Sequence, residues 1–130
     1  MRHHVGVPRR VLIVDDSAPF RMTARALLEA RGYTVAGTAA DGASALDAAA
    51  ELRPDAVLLD VNLPDMDGTA VAERLTMNGH GRPVPAVVLV STVERAALGS
   101  AVETCGARGF LPKSDLGSPR LIDLLGPPAA

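Results

Sequence analysis

The feature that most constrains this chain is the regular return of short aliphatic runs. "VLIV" at 11–14, "AVLL" at 56–59 and "AVVLV" at 86–90 are each bounded by turn formers. Runs of this length and purity read as strands buried on both faces. Between them lie longer stretches with helical spacing, in repeating units of roughly 20–25 residues. Strands and helices that alternate in this way imply a parallel sheet covered by helices on both faces. Aromatic residues make up only 2% of the chain, so the core must be built from Ala, Val and Leu.

A pass along the chain predicts five strand-plus-helix units. Strand one covers about 10–15. "SAPFRMTARALLEARG" follows as a helix, with Phe20, Ala24, Leu27 and Leu28 on one face, Pro19 in its first turn and Gly32 as its stop. "YTVAGTA" is a weaker second strand, and "DGASALDAAAELRP" a second helix closed by Pro54. "DAVLLD" is the third strand and "VNLPDMDG" a loop of turn formers, in which Asp65 and Asp67 read as solvated turn residues. "TAVAERLTMNG" is a third helix, "AVVLVS" a fourth strand, and "VERAALGSAVETCG" a fourth helix with Ala97, Leu98, Ala101, Val102 and Cys105 on one side. Gly99 falls inside that helix, weakens it by about 0.5–1 kcal/mol relative to alanine, and reads best as a close-packing position. "ARGFLPK" is the fifth strand, and "SPRLIDLLG" a last helix capped by Ser118 ahead of Pro119. Residues 1–8 read as a flexible lead, 9–125 as one domain, and 126–130 as a tail or the start of a linker.

Length and charge narrow the function. The 130 residues suit one domain. A net charge of -2 gives no electrostatic footprint for nucleic acid and no basic face for a membrane. No apolar run approaches the roughly 18 residues of a membrane span, and the N-terminus lacks the apolar core of a signal peptide. A single cysteine, Cys105, excludes an internal disulfide and suits a reducing cytoplasm.

Right-handed crossovers bring the C-terminal ends of all parallel strands to one edge, where open α/β sheets bind their ligands. Asp15 and Asp16 leave strand one there, Asp60 strand three, Ser91 strand four and Lys113 strand five. Two adjacent carboxylates at the end of a buried strand repel each other and resist desolvation unless a cation relieves them. A hard, oxygen-seeking ion between them and Asp60 would do so, which points to Mg²⁺. Lys113 is also the only lysine in the chain.

In their order and spacing, "LIVDDS", "DAVLLDVNLPDMDG", "LVST" and "GARGFLPK" resemble the receiver domains of bacterial two-component response regulators. The resemblance implies a flavodoxin-like (βα)5 fold: a doubly wound, five-stranded parallel sheet of order 2-1-3-4-5. It implies Asp60 as the acceptor of a phosphoryl group from a sensor histidine kinase or phosphotransfer protein. Asp16 matches the direct metal ligand, Asp15 its acidic neighbour acting largely through water, and Asn62 the position whose backbone carbonyl completes the site. Ser91 matches the switch hydroxyl, Lys113 the lysine that pairs with the acceptor, and Phe110 the aromatic switch residue. Phosphorylation would then alter the face formed by helix four, strand five and helix five. A homodimer of the phosphorylated form is compatible with this scheme. The domain itself would bind neither nucleic acid nor membrane.

The chain departs from the family at two places. Ser114 follows Lys113 where most receivers have proline after a cis bond. Because a cis bond before serine costs roughly 2.5–4 kcal/mol, the geometry of that loop is open. Thr92 stands where a smaller residue is usual, and Val93 offers no polar group to orient an attacking water, so self-dephosphorylation is expected to be slow. The "LPKSDL" form is similar to receivers that precede a helix-turn-helix domain. Two rival readings differ in class, and a third differs in context and not in mechanism. An aspartyl phosphatase or phosphomutase usually carries a second acid where this chain has Asn62. A pseudo-receiver would lack one of the acids or the lysine. An N-terminal fragment of a transcription regulator would share the same switch.

Overall fold

A computed structural model describes residues 7–77, 83–92 and 99–129. Five strands, β1 (Arg10–Val14), β2 (Thr34–Ala39), β3 (Ala56–Asp60), β4 (Ala86–Ser91) and β5 (Gly109–Pro112), form one sheet in the order β2-β1-β3-β4-β5. All four strand pairs are parallel. The helices are α1 (Ala18–Ala30), α2 (Gly42–Leu52), α3 (Gly68–Thr76), α4 (Ala101–Thr104) and α5 (Arg120–Leu125). This is the predicted doubly wound, flavodoxin-like architecture.

Alternate residues of each strand feed two aliphatic layers. Val11, Ile13, Leu58, Val88, Val90 and Leu111 pack with Ala24 and Leu28 of α1 and with Leu121 and Leu125 of α5. Leu12, Val14, Val57, Leu59, Val87 and Leu89 pack with Ala45 of α2, Val71 and Ala72 of α3, and Val102 beside Cys105. Central β3 is buried at every position, as a strand covered on both faces must be.

Helix boundaries follow the local chemistry. Ser17 caps α1 by accepting the Phe20 amide, and Gly32, at φ +97°, turns the chain after it. Asp41 caps α2 by accepting the Ser44 amide. Asp65 and Asp67 do more than the solvated-turn reading allows. Asp67 caps α3 through the Thr69 amide. Asp65 reaches across to α2 and accepts the Gly42 and Ala43 amides at 2.7 and 2.9 Å.

Two expectations at the C-terminal half need correction. Gly99 is not inside a helix: α4 begins at Ala101, and Gly99 has φ +84° with open space where a Cβ would stand. Its role is the left-handed turn, which glycine adopts without steric cost, and not close packing. The predicted helical residues 93–98, with Ala97 and Leu98, lie outside the described residues. Ser118 does not cap the last helix: α5 begins at Arg120 without a side-chain cap, and Ser118 Oγ is buried with no hydrogen-bond partner. No peptide bond among the described residues is cis. After β5 the chain instead enters a 3₁₀ turn, Lys113–Asp115.

Beyond α5 the chain returns to its beginning. Pro8 and Ala129 form an antiparallel bridge, and the Arg9 amide donates to Pro128 O at 2.6 Å. The Arg9 guanidinium donates to Leu125 O and Asp55 O, and Tyr33 Oη donates to Gly126 O.

Candidate functional site

The topology sets the site. Strand order reverses between β1 and β3, and the crevice beyond their C-terminal ends is where an open α/β sheet takes ligands. Asp15 and Asp16 follow β1 directly, and Asp60 is the last residue of β3. In the β3–β4 register Asp60 lies beside Val90, which puts Ser91 one residue further along the same edge. Ser91 pairs in turn with Pro112, so Lys113 emerges next to it. All five residues singled out at strand ends therefore share one edge.

Their environments differ. Asp15 is fully buried and Asp60 is 5% exposed, whereas Asp16 is open to solvent. One oxygen from each carboxylate lies within 4.8 Å of the other two. Lys113 Nζ lies 2.6 Å from Asp15 Oδ2 and 3.5 Å from Asp60 Oδ2. Asp15 Oδ1 accepts the Ser17 amide at 2.8 Å, but Oδ2 has no hydrogen bond and meets only the Lys113 ammonium as an ion pair. Asp60 Oδ1 accepts the Asn62 amide at 3.2 Å. Burial and the adjacent Asp15 charge push the Asp60 carboxyl above its ordinary range, against the opposing pull of Asn62 and Lys113. Three converging carboxylates, two of them buried, face a single ammonium. That donor set fits a hard divalent cation, and the charge imbalance favours one.

Ser91 is buried, as is Phe110, which sits in the layer that also holds Val102 and Cys105. Asn62 is exposed and forms a bridge with Asp67 across the loop after β3.

Sequence reasoning missed four contributors. Gly68 begins α3 against the chain leaving β3: a Cβ there would stand 2.2 Å from Asp60 O and 2.8 Å from Val61 Cα. Only glycine allows that approach, which fixes the backbone of Asp60. Asp65 ties the same loop to α2. Arg21 donates to Asp15 O at 2.7 Å. Phe20 lies under Lys113, with Nζ 4.3 Å from the ring centroid. The "DMDG" loop and its glycine were visible as turn chemistry. The contacts to Asp15 and Lys113 were not.

Residues 11–125 match the family described as response regulator receiver domain. The chain belongs to that family. Among curated relatives, this receiver is 44% identical over 109 residues to a protein-glutamate methylesterase/protein-glutamine glutaminase of Anaeromyxobacter dehalogenans, covering 83% of this chain and 30% of that protein. It is 37% identical over 108 residues to the transcriptional regulatory protein PdtaR of Mycobacterium tuberculosis, covering 83% of this chain and 51% of that one. The receiver thus spans only 30% and 51% of the length of these two curated relatives. Among solved structures, the chemotaxis response regulator CheY4 of Vibrio cholerae matches with a TM-score of 0.78 at 28% identity, over 92% of this chain and all of that one. The response regulator domain of Thermotoga maritima CheB matches at 0.76 and 28%, over 90% and 92%. Among the described residues no helix is long and apolar enough to cross a membrane.

Proposed function

We propose that this receiver is a cytoplasmic phosphorylation switch in which Asp60 accepts a phosphoryl group from the phosphohistidine of a sensor kinase or phosphotransfer protein. The observation that carries the reading is the convergence of Asp15, Asp16, Asp60 and Lys113 at the β1–β3 switch point. In the reaction an Asp60 oxygen attacks phosphorus and forms an O–P bond as the donor's N–P bond breaks. The imidazole nitrogen keeps that electron pair. Asp15, Asp16 and Asp60, with the Asn62 carbonyl, would hold Mg²⁺, which supplies positive charge to the phosphoryl oxygens when bound. Lys113 supplies a second cation from the opposite strand, and Ser91 a hydroxyl donor. Burial and the Asp15 charge raise the Asp60 carboxyl, and a cation bound beside it would favour the ionised form that attacks.

An acyl phosphate carries about -1.5 to -2 charge and draws Ser91 and Lys113 toward it. Ser91 moves at the end of β4, and Phe110, buried in the layer that holds Val102, repacks under α4. The altered α4–β5–α5 face is then what a downstream partner, an output domain or a second phosphorylated copy reads. Thr92 at the rim is expected to make spontaneous loss of the phosphoryl group slow. The purified phospho-form should persist for minutes, and decay within seconds would sink that expectation.

The test of the function is intact mass after incubation with Mg²⁺ and acetyl phosphate. One phosphoryl adduct on the wild type, absent from Asp60→Ala and abolished by EDTA, is expected. No adduct on the wild type would leave a pure interaction module.

A further inference from the structure

Besides Asp60, the Lys113 ammonium has two partners that differ in kind. On one side is the buried Asp15 carboxylate at 2.6 Å; on the other is the Phe20 ring, with Nζ 4.3 Å from its centroid. That distance lies well inside the roughly 6 Å over which an aromatic face attracts a cation. The Lys113 side chain is only 17% exposed, so little water competes for its charge. Phe20 is itself held in place. Its amide donates to Ser17 Oγ in the first turn of α1, and its side chain packs on the α1–α5 layer of the core.

The arrangement addresses a specific difficulty. Lysine carries its charge on a flexible four-carbon stem, unlike the rigid fork of arginine. A transfer step that depends on one ammonium is slowed whenever that ammonium must first be found and placed. Ser114 and Asp115, the other residues of the 3₁₀ turn, are exposed and give Lys113 no side-chain support. The ring and the carboxylate supply that support from the opposite side of the site.

We propose that Phe20 is a positioning residue for phosphoryl transfer: its ring and the Asp15 carboxylate together seat the Lys113 ammonium where it faces Asp60. This rests on the phosphorylation reading given above. Phe20 touches neither donor nor acceptor and acts through Lys113.

The test compares wild type, Phe20→Leu and Phe20→Tyr in three measurements. The first is the initial rate of adduct formation from acetyl phosphate at saturating Mg²⁺, in which the Asp60 O–P bond forms as the donor's P–O bond breaks and acetate leaves with the electron pair. Phe20→Leu should be about 3- to 10-fold slower, the effect of losing one cation–aromatic contact. Phe20→Tyr, which keeps the ring face, should stay within about 2-fold of wild type. The second is Mg²⁺ affinity, which should be equal in all three. The third is the Lys113 ε-methylene resonance. Because the chain has one lysine, ε-labelled lysine gives a single side-chain signal. It should be shifted upfield by the ring in wild type and Phe20→Tyr, and lie at its ordinary position in Phe20→Leu.

Equal rates in all three proteins, or an unshifted wild-type signal, would overturn the inference while leaving the phosphorylation reading intact. An equal rate loss in Leu and Tyr variants would also overturn it, since the side chain would then matter only as packing. No adduct on the wild type would overturn the phosphorylation reading itself, and the role of Phe20 with it.

Discussion

The two edges of the sheet handle charge in opposite ways. Among the described residues, the charged contacts at the N-terminal edge end on backbone groups. Arg9 donates to Leu125 O and Asp55 O, Arg10 to Leu52 O and Arg53 O, and the Asp55 carboxylate accepts the Arg10 amide. At the C-terminal edge three carboxylates crowd one ammonium, and two of the three are buried. The first arrangement holds the fold together. The second is a local conflict that a bound metal cation would relieve. The backbone clasps and the proposed phosphoryl chemistry lie at different ends of the same strands.

The sharpest way to break this contrast is to cut the N-terminal edge. Arg9→Met removes two charge-assisted bonds to carbonyls and should lower unfolding free energy by about 2 kcal/mol, read as a shift in the urea midpoint. Phosphorylation of the variant below its melting temperature should be unchanged. A fall in the rate of adduct formation would show that the two edges are coupled.

Adding metal tests the other edge. At ten times its dissociation constant, Mg²⁺ should stabilise the wild type by about 1.4 kcal/mol and leave Asp16→Ala nearly unaffected, as followed by thermal melting. An equal gain in both proteins would place the ion elsewhere.

The smallest effect should come from removing the conflict without metal. In EDTA, Asp60→Asn should be more stable than wild type by on the order of 1 kcal/mol at neutral pH, because one of the three crowded charges is gone. The pH dependence fixes the sign. The folded carboxyl is raised above its ordinary 3.8, so the folded wild type binds protons more readily than the unfolded chain. Its stability is fully present below pH 3.8 and falls as pH rises through the folded value. The advantage of Asp60→Asn should therefore be small in acid and grow as pH rises through that window. A constant difference would mean that packing, and not charge, separates the two proteins.

What could be read in the sequence depended on distance along the chain. The strands and the residues that end them were legible because burial on both faces demands uninterrupted aliphatic runs, and parallel topology then sends Asp15, Asp60, Ser91 and Lys113 to one edge. Helix α1 was legible from its apolar face, its proline and its glycine. Gly99 was misread because a glycine in a helical pattern has the same spacing whether the helix includes it or starts after it; only φ distinguishes the two. Ser118 was misread because a serine before proline is a cap only if the backbone enters the helix there, and here it enters later. Asp65 capping α2, and Phe20 beneath Lys113, join residues more than twenty and more than ninety positions apart. No local pattern encodes such meetings. They follow from the way the layers stack.

The bridge between Pro8 and Ala129 has a mechanical consequence. Tension applied to the chain at these two points meets the Arg9–Pro128 hydrogen bond and the Arg9 contact to Leu125 first. These contacts peel one after another, while the parallel strands beyond them resist as a sheared unit. A tether attached at this end would therefore yield at the clasp under a load that leaves Asp60 and its neighbours undisturbed.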